Sequence, residues 1–316
     1  MEILLALVAL VIGFIFLTKG ADWFVEGSSK MAVKMHIPEI VVGLTIVAMG
    51  TSAPEAAISI TSAMHNNAGI SIGNVIGSNI LNIAIILGIS ALIAKLPIKK
   101  STIKYEIPFV IFITVVLMAL GYFFGSVNRL GAVILIILFV LFLSYLYWLS
   151  KHGENAIEGV EELKATDTYP RLILTTIIGV IVIVLGSNIT VDAATTIAEF
   201  FGLSERVIGL TIIAFGTSLP ELVTSVTAAR RGNTDIAIGN IVGSNIFNIL
   251  FVLGISGLVS PSPIPFATNF FSDGIIATIV AIMLFGFCYK KHELNKTGGL
   301  IFVIFYAVYL AALLMA

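Results

Sequence analysis

Residues 209–258 read GLTIIAFGTSLPELVTSVTAARRGNTDIAIGNIVGSNIFNILFVLGISGL. They align without a gap to residues 43–92, GLTIVAMGTSAPEAAISITSAMHNNAGISIGNVIGSNILNIAIILGISAL, at an offset of 166 and with about 29 identities in 50. An ungapped match of that length inside one chain marks an internal duplication. In each copy a Gly-Thr-Ser-x-Pro-Glu segment (50–55, 216–221) is followed by Gly-Asn (73–74, 239–240) and by Gly-Ser-Asn-Ile (77–80, 243–246).

Working outward, 58% of the 316 residues are hydrophobic and only 11% are charged, with a mean hydropathy of +1.09. An ordinary soluble domain carries about 25% charged residues, so this composition belongs in a bilayer. The net charge of −1 provides no basic field for nucleic acid. The single cysteine, Cys288, excludes an internal disulfide framework. No G-x-x-x-x-G-K-[ST] stretch is present, so no ATP-driven motor is expected. Glu2 stands where a signal peptide would be basic, and the first apolar run is read as a membrane helix.

Apolar runs and their polar breaks predict an all-α polytopic membrane protein with ten transmembrane helices: 2–34, 39–64, 70–94, 103–124, 128–150, 170–200, 205–229, 235–258, 270–289 and 298–315. Helices one and six are long enough to imply tilt or an interfacial end. Lysine and arginine cluster in the odd-numbered connections (Lys30 and Lys34; Lys95, Lys99, Lys100 and Lys104; Lys151, Lys164 and Arg171; Arg230 and Arg231; Lys290, Lys291 and Lys296), while the other side holds only Arg129 and Arg206. Positive charge stays inside, which predicts both termini outside and a cell-membrane location. Residues 1–150 form a first five-helix repeat, 151–169 a cytoplasmic linker with five acids, and 170–316 a second repeat. Five helices per copy is an odd number, so the repeats are expected to be inverted, with a binding site at the midplane.

The duplicated motifs indicate what would bind. Pro54 has no amide hydrogen and its ring clashes with the carbonyl four residues back. The helix should break there, freeing carbonyls near Ala48 to Thr51, and the 216–221 segment should do the same from the opposite side. Glu55 and Glu221 then lie in membrane helices with no lysine or arginine in the motif helices near them. Each acid costs about 2.5–3.5 kcal/mol at the centre of a span, so both must be protonated, hydrogen-bonding helices together, or paired with a mobile cation; they are read as cation ligands. Asn74, Ser78 and Asn82 form an i, i+4, i+8 stripe, mirrored by Asn240, Ser244 and Asn248. Ser78, Asn82, Ser244 and Asn248 are read as ion contacts, and Asn74, Asn79, Asn240 and Asn245 as structural. The glycines at 73, 77, 239 and 243 are read as close-packing positions. Asp22 and Glu26, echoed by Asn188 and Asp192, are read as a structural or interfacial pair, with Lys19 as the expected partner of Asp22.

Carboxylates, hydroxyls, amide oxygens and carbonyls make a hard, all-oxygen cage suited to Ca²⁺ or Na⁺. One Ca²⁺ neutralises both glutamates, and Na⁺ ions in the same pocket would compete for the same ligands. In these motifs the chain resembles the sodium/calcium exchanger family of the Ca²⁺:cation antiporter superfamily, in its compact form without a large regulatory loop. The resemblance implies Ca²⁺ between Glu55 and Glu221 with the carbonyls of Thr51 and Thr217. It implies one Na⁺ site from Ser78, Ser218, Glu221 and the Ala214 carbonyl, another from Ser52, Glu55, Ser244 and the Ala48 carbonyl, and Asn82 and Asn248 lining the middle. It also implies electrogenic Na⁺/Ca²⁺ antiport by alternating access. Potassium-dependent relatives carry aspartate where this chain has Asn248, which argues for K⁺ independence.

The alternative is H⁺/Ca²⁺ exchange through the same glutamates. A channel would use similar ligands without a trans counter-ion, and an enzyme would need a nucleophile–base pair that the motif serines lack. No resident cofactor is expected beyond the transported Ca²⁺ and Na⁺, and no obligatory protein partner beyond the lipid bilayer.

Overall fold

The computed structural model describes residues 2–65, 68–152, 163–164, 166–202, 214–266 and 268–315. Its helices are α1 (Glu2–Met35), α2 (Glu39–Thr51), α3 (Ala53–Met64), α4 (Gly69–Ile93), α5 (Thr102–Phe124), α6 (Arg129–His152), α7 (Tyr169–Phe200), α8 (Ala214–Thr217), α9 (Leu219–Arg230), α10 (Thr234–Val259), α11 (Thr268–Lys291) and α12 (Lys296–Met315). Among these residues eight helices are long and apolar enough to cross a membrane, and the bent pair α2–α3 makes a ninth. The first half of the expected 205–229 span lies outside the described residues; α8 and α9 are its remainder.

Burial sorts the helices. In their most apolar windows α10 is 94% buried and α4 78%, against 22% for α1. The duplicated helices are therefore the core, and the others wrap them. Leu5, Val8, Val11, Phe123, Leu141 and Ile177 stand exposed on the outer surface, as apolar residues do where lipid replaces water.

The two long helices, α1 and α7, pack antiparallel. A Cβ added at Gly20 would come 2.8 Å from the Ile183 amide nitrogen, and one at Gly179 would come 2.6 Å from that of Phe24. Glycine is required there because backbone faces backbone. Inside, a Cβ at Gly239 would meet the Gly43 Cα at 2.9 Å and one at Gly243 the Ala48 Cβ at 2.8 Å. These two glycines thus close α10 onto α2, as expected. The duplication would place the partners of Gly73 and Gly77 at residues 209–214, most of which lie outside the described residues.

Two short antiparallel ribbons, absent from the sequence expectation, staple the connections. Leu96–Pro97 pairs with Glu293–Leu294, and Ser126–Val127 with Ile264–Pro265. Ion pairs join further connections: Lys30 to Asp167 at 3.5 Å, Lys99 to Asp235 at 2.6 Å, and Arg231 to Asp22 at 2.9 Å. This corrects the expected Lys19–Asp22 pair. An i, i+3 spacing permits that contact, but α1 turns Asp22 toward the end of α9, where Arg231 reaches it. It also corrects the solvated reading of the linker at one position, since Asp167 is buried; the other four acids (Glu154, Glu158, Glu161, Glu162) lie outside the described residues.

Candidate ion-binding site

Pro54 and Pro220 set the local geometry. Ser52 (φ −81°, ψ 10°) and Ser218 (φ −93°, ψ 7°) stand between two short helical pieces, each followed by a helix with proline in its first turn. The first break bends the chain by 53°. The glutamate next to each proline therefore opens a new helix instead of lying on the face of a continuous one.

The carbonyls at the first break are less bare than expected. The Ser52 amide donates to the Ala48 carbonyl at 3.0 Å, and the Thr51 hydroxyl covers the carbonyls of Val47 and Ala48 at 3.1 and 3.3 Å. Hydroxyl and amide donors within one turn thus reach the Val47 and Ala48 carbonyls. The carbonyl that proline itself abandons is four residues back, Gly50 or Gly216. In the second copy the Ser187 hydroxyl of α7 donates to the Gly216 carbonyl at 2.7 Å. The equivalent residue in the first copy is Ala21, which has no hydroxyl to give.

The two copies exchange contacts across the centre. The Ser52 hydroxyl donates to Glu221 Oε1 at 2.7 Å, and the Ser218 hydroxyl to Glu55 Oε1 at 3.2 Å. Asn79 Nδ2 donates to the Asn245 carbonyl at 3.1 Å, and Asn245 Nδ2 to the Asn79 carbonyl at 3.2 Å. Asn82 Nδ2 donates to Asn245 Oδ1 at 2.9 Å, and Asn248 Nδ2 to Asn79 Oδ1 at 3.2 Å. When residue i meets j and the copy of j meets the copy of i, the halves are docked about a two-fold relation. The serine bonds cross between copies; each serine serves the glutamate of the opposite motif.

Four oxygens are left over. Glu55 Oε2, Glu221 Oε2, Asn82 Oδ1 and Asn248 Oδ1 are buried with no hydrogen-bond partner among the described residues. The residues that carry them are each 1% exposed. Burying an unpartnered amide oxygen costs about 1–3 kcal/mol and a carboxylate more. Both asparagine side chains spend their donors on a neighbouring asparagine, which fixes the amide with its oxygen free. Two carboxylate and two amide oxygens, related in pairs by the duplication, match a hard cation's chemistry.

The other expected ligands lie in the same core. Thr51, Ser52, Ala48, Ser218, Ser244 and Ser78 are buried, and Thr217 is half-buried. Ser244 approaches the Ala48 carbonyl at 3.5 Å, bringing together two members of one expected Na⁺ set. The counterpart, Ser78 with Ala214, borders residues outside the described part. Asn74 and Asn240 hold the glutamate helices. Asn74 donates to the Glu55 carbonyl at 3.3 Å and to Ser59 at 2.9 Å, and Asn240 to the Glu221 carbonyl at 3.4 Å and to Ser225 at 2.9 Å. Asn240 Oδ1, 3.0 Å from the Thr51 hydroxyl, is an alternative acceptor for that hydroxyl's single hydrogen.

Sequence reading missed two features. Asn82 and Asn248 each open a π-helical turn, Asn82–Leu87 and Asn248–Val252, a wider winding that is frequent at functional sites. The role of Ser187 was missed as well. Its sequence signal was the unequal pair Ala21 and Ser187 at the 166-residue offset.

Comparison with known proteins identifies the family and the overall fold. The family described as sodium/calcium exchanger protein matches residues 5–148 and 171–315. The sodium/calcium exchanger MaX1 of Methanosarcina acetivorans is 34% identical over 345 residues, covering 96% of this chain and 97% of its own. The inner membrane protein YrbG of Escherichia coli is 34% identical over 318 residues, covering 98% and 97%. A solved structure of the sodium-calcium exchanger NCX_Mj matches with a TM-score of 0.84 at 32% identity, over 98% of this chain and 99% of that one. Duplicated motifs, a helical membrane fold and whole-length similarity converge: this integral membrane chain belongs to the sodium/calcium exchanger family.

Proposed function

We propose that this protein is an electrogenic, K⁺-independent Na⁺/Ca²⁺ antiporter of the cell membrane, working by alternating access. One Ca²⁺ is held between Glu55 and Glu221, and Na⁺ ions compete for the same oxygens. The observation that carries this reading is the set of four buried, unpartnered oxygens on Glu55, Glu221, Asn82 and Asn248. With two carboxylates and no lysine or arginine near them in the motif helices, a bound Ca²⁺ makes the site neutral. The emptied site is doubly negative and would cross the low-dielectric barrier poorly, which couples one ion's exit to another's entry.

The ten-span, inverted arrangement is part of this proposal, and contacts between connections support it. The 126–127 and 264–265 strands pair, so an even number of crossings separates them. The helices α6, α7 and α10 supply three, so the segment around α8–α9 supplies a fourth. Contacts of Asp22 with Arg231, Lys30 with Asp167, and Lys99 with Asp235 gather one set of connections on one side. Those are the lysine- and arginine-rich connections, so that side is cytoplasmic and both termini lie outside.

The test is radiolabelled Ca²⁺ uptake into proteoliposomes loaded with Na⁺ and diluted into Na⁺-free buffer at clamped pH. Uptake that collapses when internal Na⁺ is replaced by choline is the expected result. Uptake indifferent to Na⁺ and restored by an acid-inside gradient would instead establish H⁺/Ca²⁺ exchange.

A further inference from the structure

The two copies are alike in sequence and are not covered alike. α1 packs along α9, the helix with Glu221 in its first turn. The duplication would have α7 pack in the same way along α3, the helix with Glu55 in its first turn, yet α7 barely touches it. Exposure follows the difference. Ile58 of α3 is 39% exposed, while its counterpart Thr224 in α9 has no exposure. Ala57 is exposed and Pro54 half-buried, against half-buried Val223 and buried Pro220. One motif helix is shut under α1 and the other is uncovered.

Named bonds hold the shut side. Arg231, just past the end of α9, reaches Asp22 of α1 at 2.9 Å. Two turns further along α1, the Ser29 hydroxyl donates to Glu39 at the start of α2 and accepts from the Asn233 amide at 2.8 Å. Asp22 lies about 30 Å along α1 from Glu2, the thickness of the hydrocarbon core. These bonds therefore sit at the membrane edge, among the lysine- and arginine-rich connections. At the 166-residue offset Ser29, Glu39 and Asn233 recur as Thr195, Glu205 and Asn67, so both copies keep those hydrogen-bonding types. The charge pair does not recur. The counterparts of Asp22 and Arg231 are Asn188 and His65, and the His65 ring is engaged by its own helix, with Nδ1 2.9 Å from the Thr61 carbonyl. Asn188 has no charge to offer.

We propose that Asp22 and Arg231 form a one-sided latch that holds α1 against α9 and favours the state closed to the cytoplasm and open to the outside. In a carrier built from two equal halves the opposite states would be equal in energy. A bond made in only one of them shifts the population toward it. Moving α1 off α9 breaks the pair, and Asn188 with His65 returns no ion pair on the other side. The latch rests on the alternating-access reading and on the cytoplasmic placement of those connections.

Hydrogen–deuterium exchange on the full-length protein in proteoliposomes tests it, because the two copies must respond in opposite directions. An ion pair partly in reach of water is worth up to about fivefold in an equilibrium. Asp22→Asn and Arg231→Gln should each speed exchange across 219–230 by up to that factor and slow it, by less, across 53–64. The double reversal Asp22→Arg with Arg231→Asp should restore both helices. Faster exchange on both helices would mean a loosened fold and would overturn the latch. No change on either helix would do the same, as would a double reversal that behaves like the single variants. Such a failure, with the unaltered protein still taking up Ca²⁺ under a Na⁺ or proton gradient, removes the latch and leaves the antiport reading standing. An unaltered protein without Ca²⁺ uptake under either gradient removes the reading beneath it, and the latch with it.

Discussion

Glu55 and Glu221 each give one oxygen to the serine of the opposite motif and keep the other without a partner among the described residues, free for the proposed cation. Removing a single carboxylate leaves the partner charge and two amide oxygens undercompensated. Truncating one member of a buried charge pair costs at least about 2 kcal/mol, so Glu55→Gln or Glu221→Gln should lower Ca²⁺ uptake by more than about thirtyfold. Folding should survive, because glutamine keeps the volume and an acceptor for Ser218 or Ser52. Retained uptake in either variant would count against the site. Ser187 makes a separate prediction. Its hydroxyl covers the Gly216 carbonyl that Pro220 abandons, so Ser187→Ala should cost about 1–3 kcal/mol through an unsatisfied buried carbonyl. Thermal unfolding in detergent reads this directly. An unchanged midpoint would mean that another donor takes its place.

At the scale of elements, the α1–α7 contact is the one where side-chain volume decides. Gly179 faces the Phe24 backbone so closely that any Cβ lands 2.6 Å from its amide nitrogen. Gly179→Leu should therefore separate the helices and cost about 1–3 kcal/mol by overpacking. A melting temperature equal to that of the unaltered protein would show that the interface adapts. This element was legible in part. The length of α1 and α7 and the small residues along them are in the sequence, whereas their pairing with each other is not. The helix breaks were legible because proline's missing hydrogen is a covalent fact. The π-helical turns at Asn82 and Asn248 were not, because neither residue forces a wider winding by itself; packing against the other copy does.

Across the whole molecule, three separate ion pairs, Lys30–Asp167, Lys99–Asp235 and Arg231–Asp22, tie segments far apart in the chain. Asp167 is one of their carboxylates. The Lys164 backbone N–H donates to it at 2.9 Å and Lys30 stands 3.5 Å away, and both hold its carboxyl below the usual aspartate range. A depressed carboxylate stabilises the folded state at pH above the unfolded value near 4, and that contribution fades as the pH falls through the folded value. Asp167→Asn should lower stability at neutral pH and leave it unchanged at about pH 2, as read by unfolding at the two pH values. An equal difference at both would mean that packing, and not charge, is what Asp167 supplies. Arg231 with Asp22 is more exposed, and surface pairs of that kind are worth about 1 kcal/mol or less.

The amino-acid sequence alone determined the membrane class, the duplication, the two proline breaks and the two buried acids that stand out as candidate ligands. Each of these follows from local chemistry: hydrocarbon against charge, a missing amide hydrogen, and the cost of an acid in a span. Only the tertiary structure decided that Ser52 serves Glu221 and Ser218 serves Glu55, that Asp22 pairs with Arg231 and not Lys19, and which four oxygens remain free. An offset of 166 residues establishes that the copies are alike and carries no information on how they dock. Contacts between residues that far apart depend on the relative placement of whole helices, which spacing along one helix does not encode.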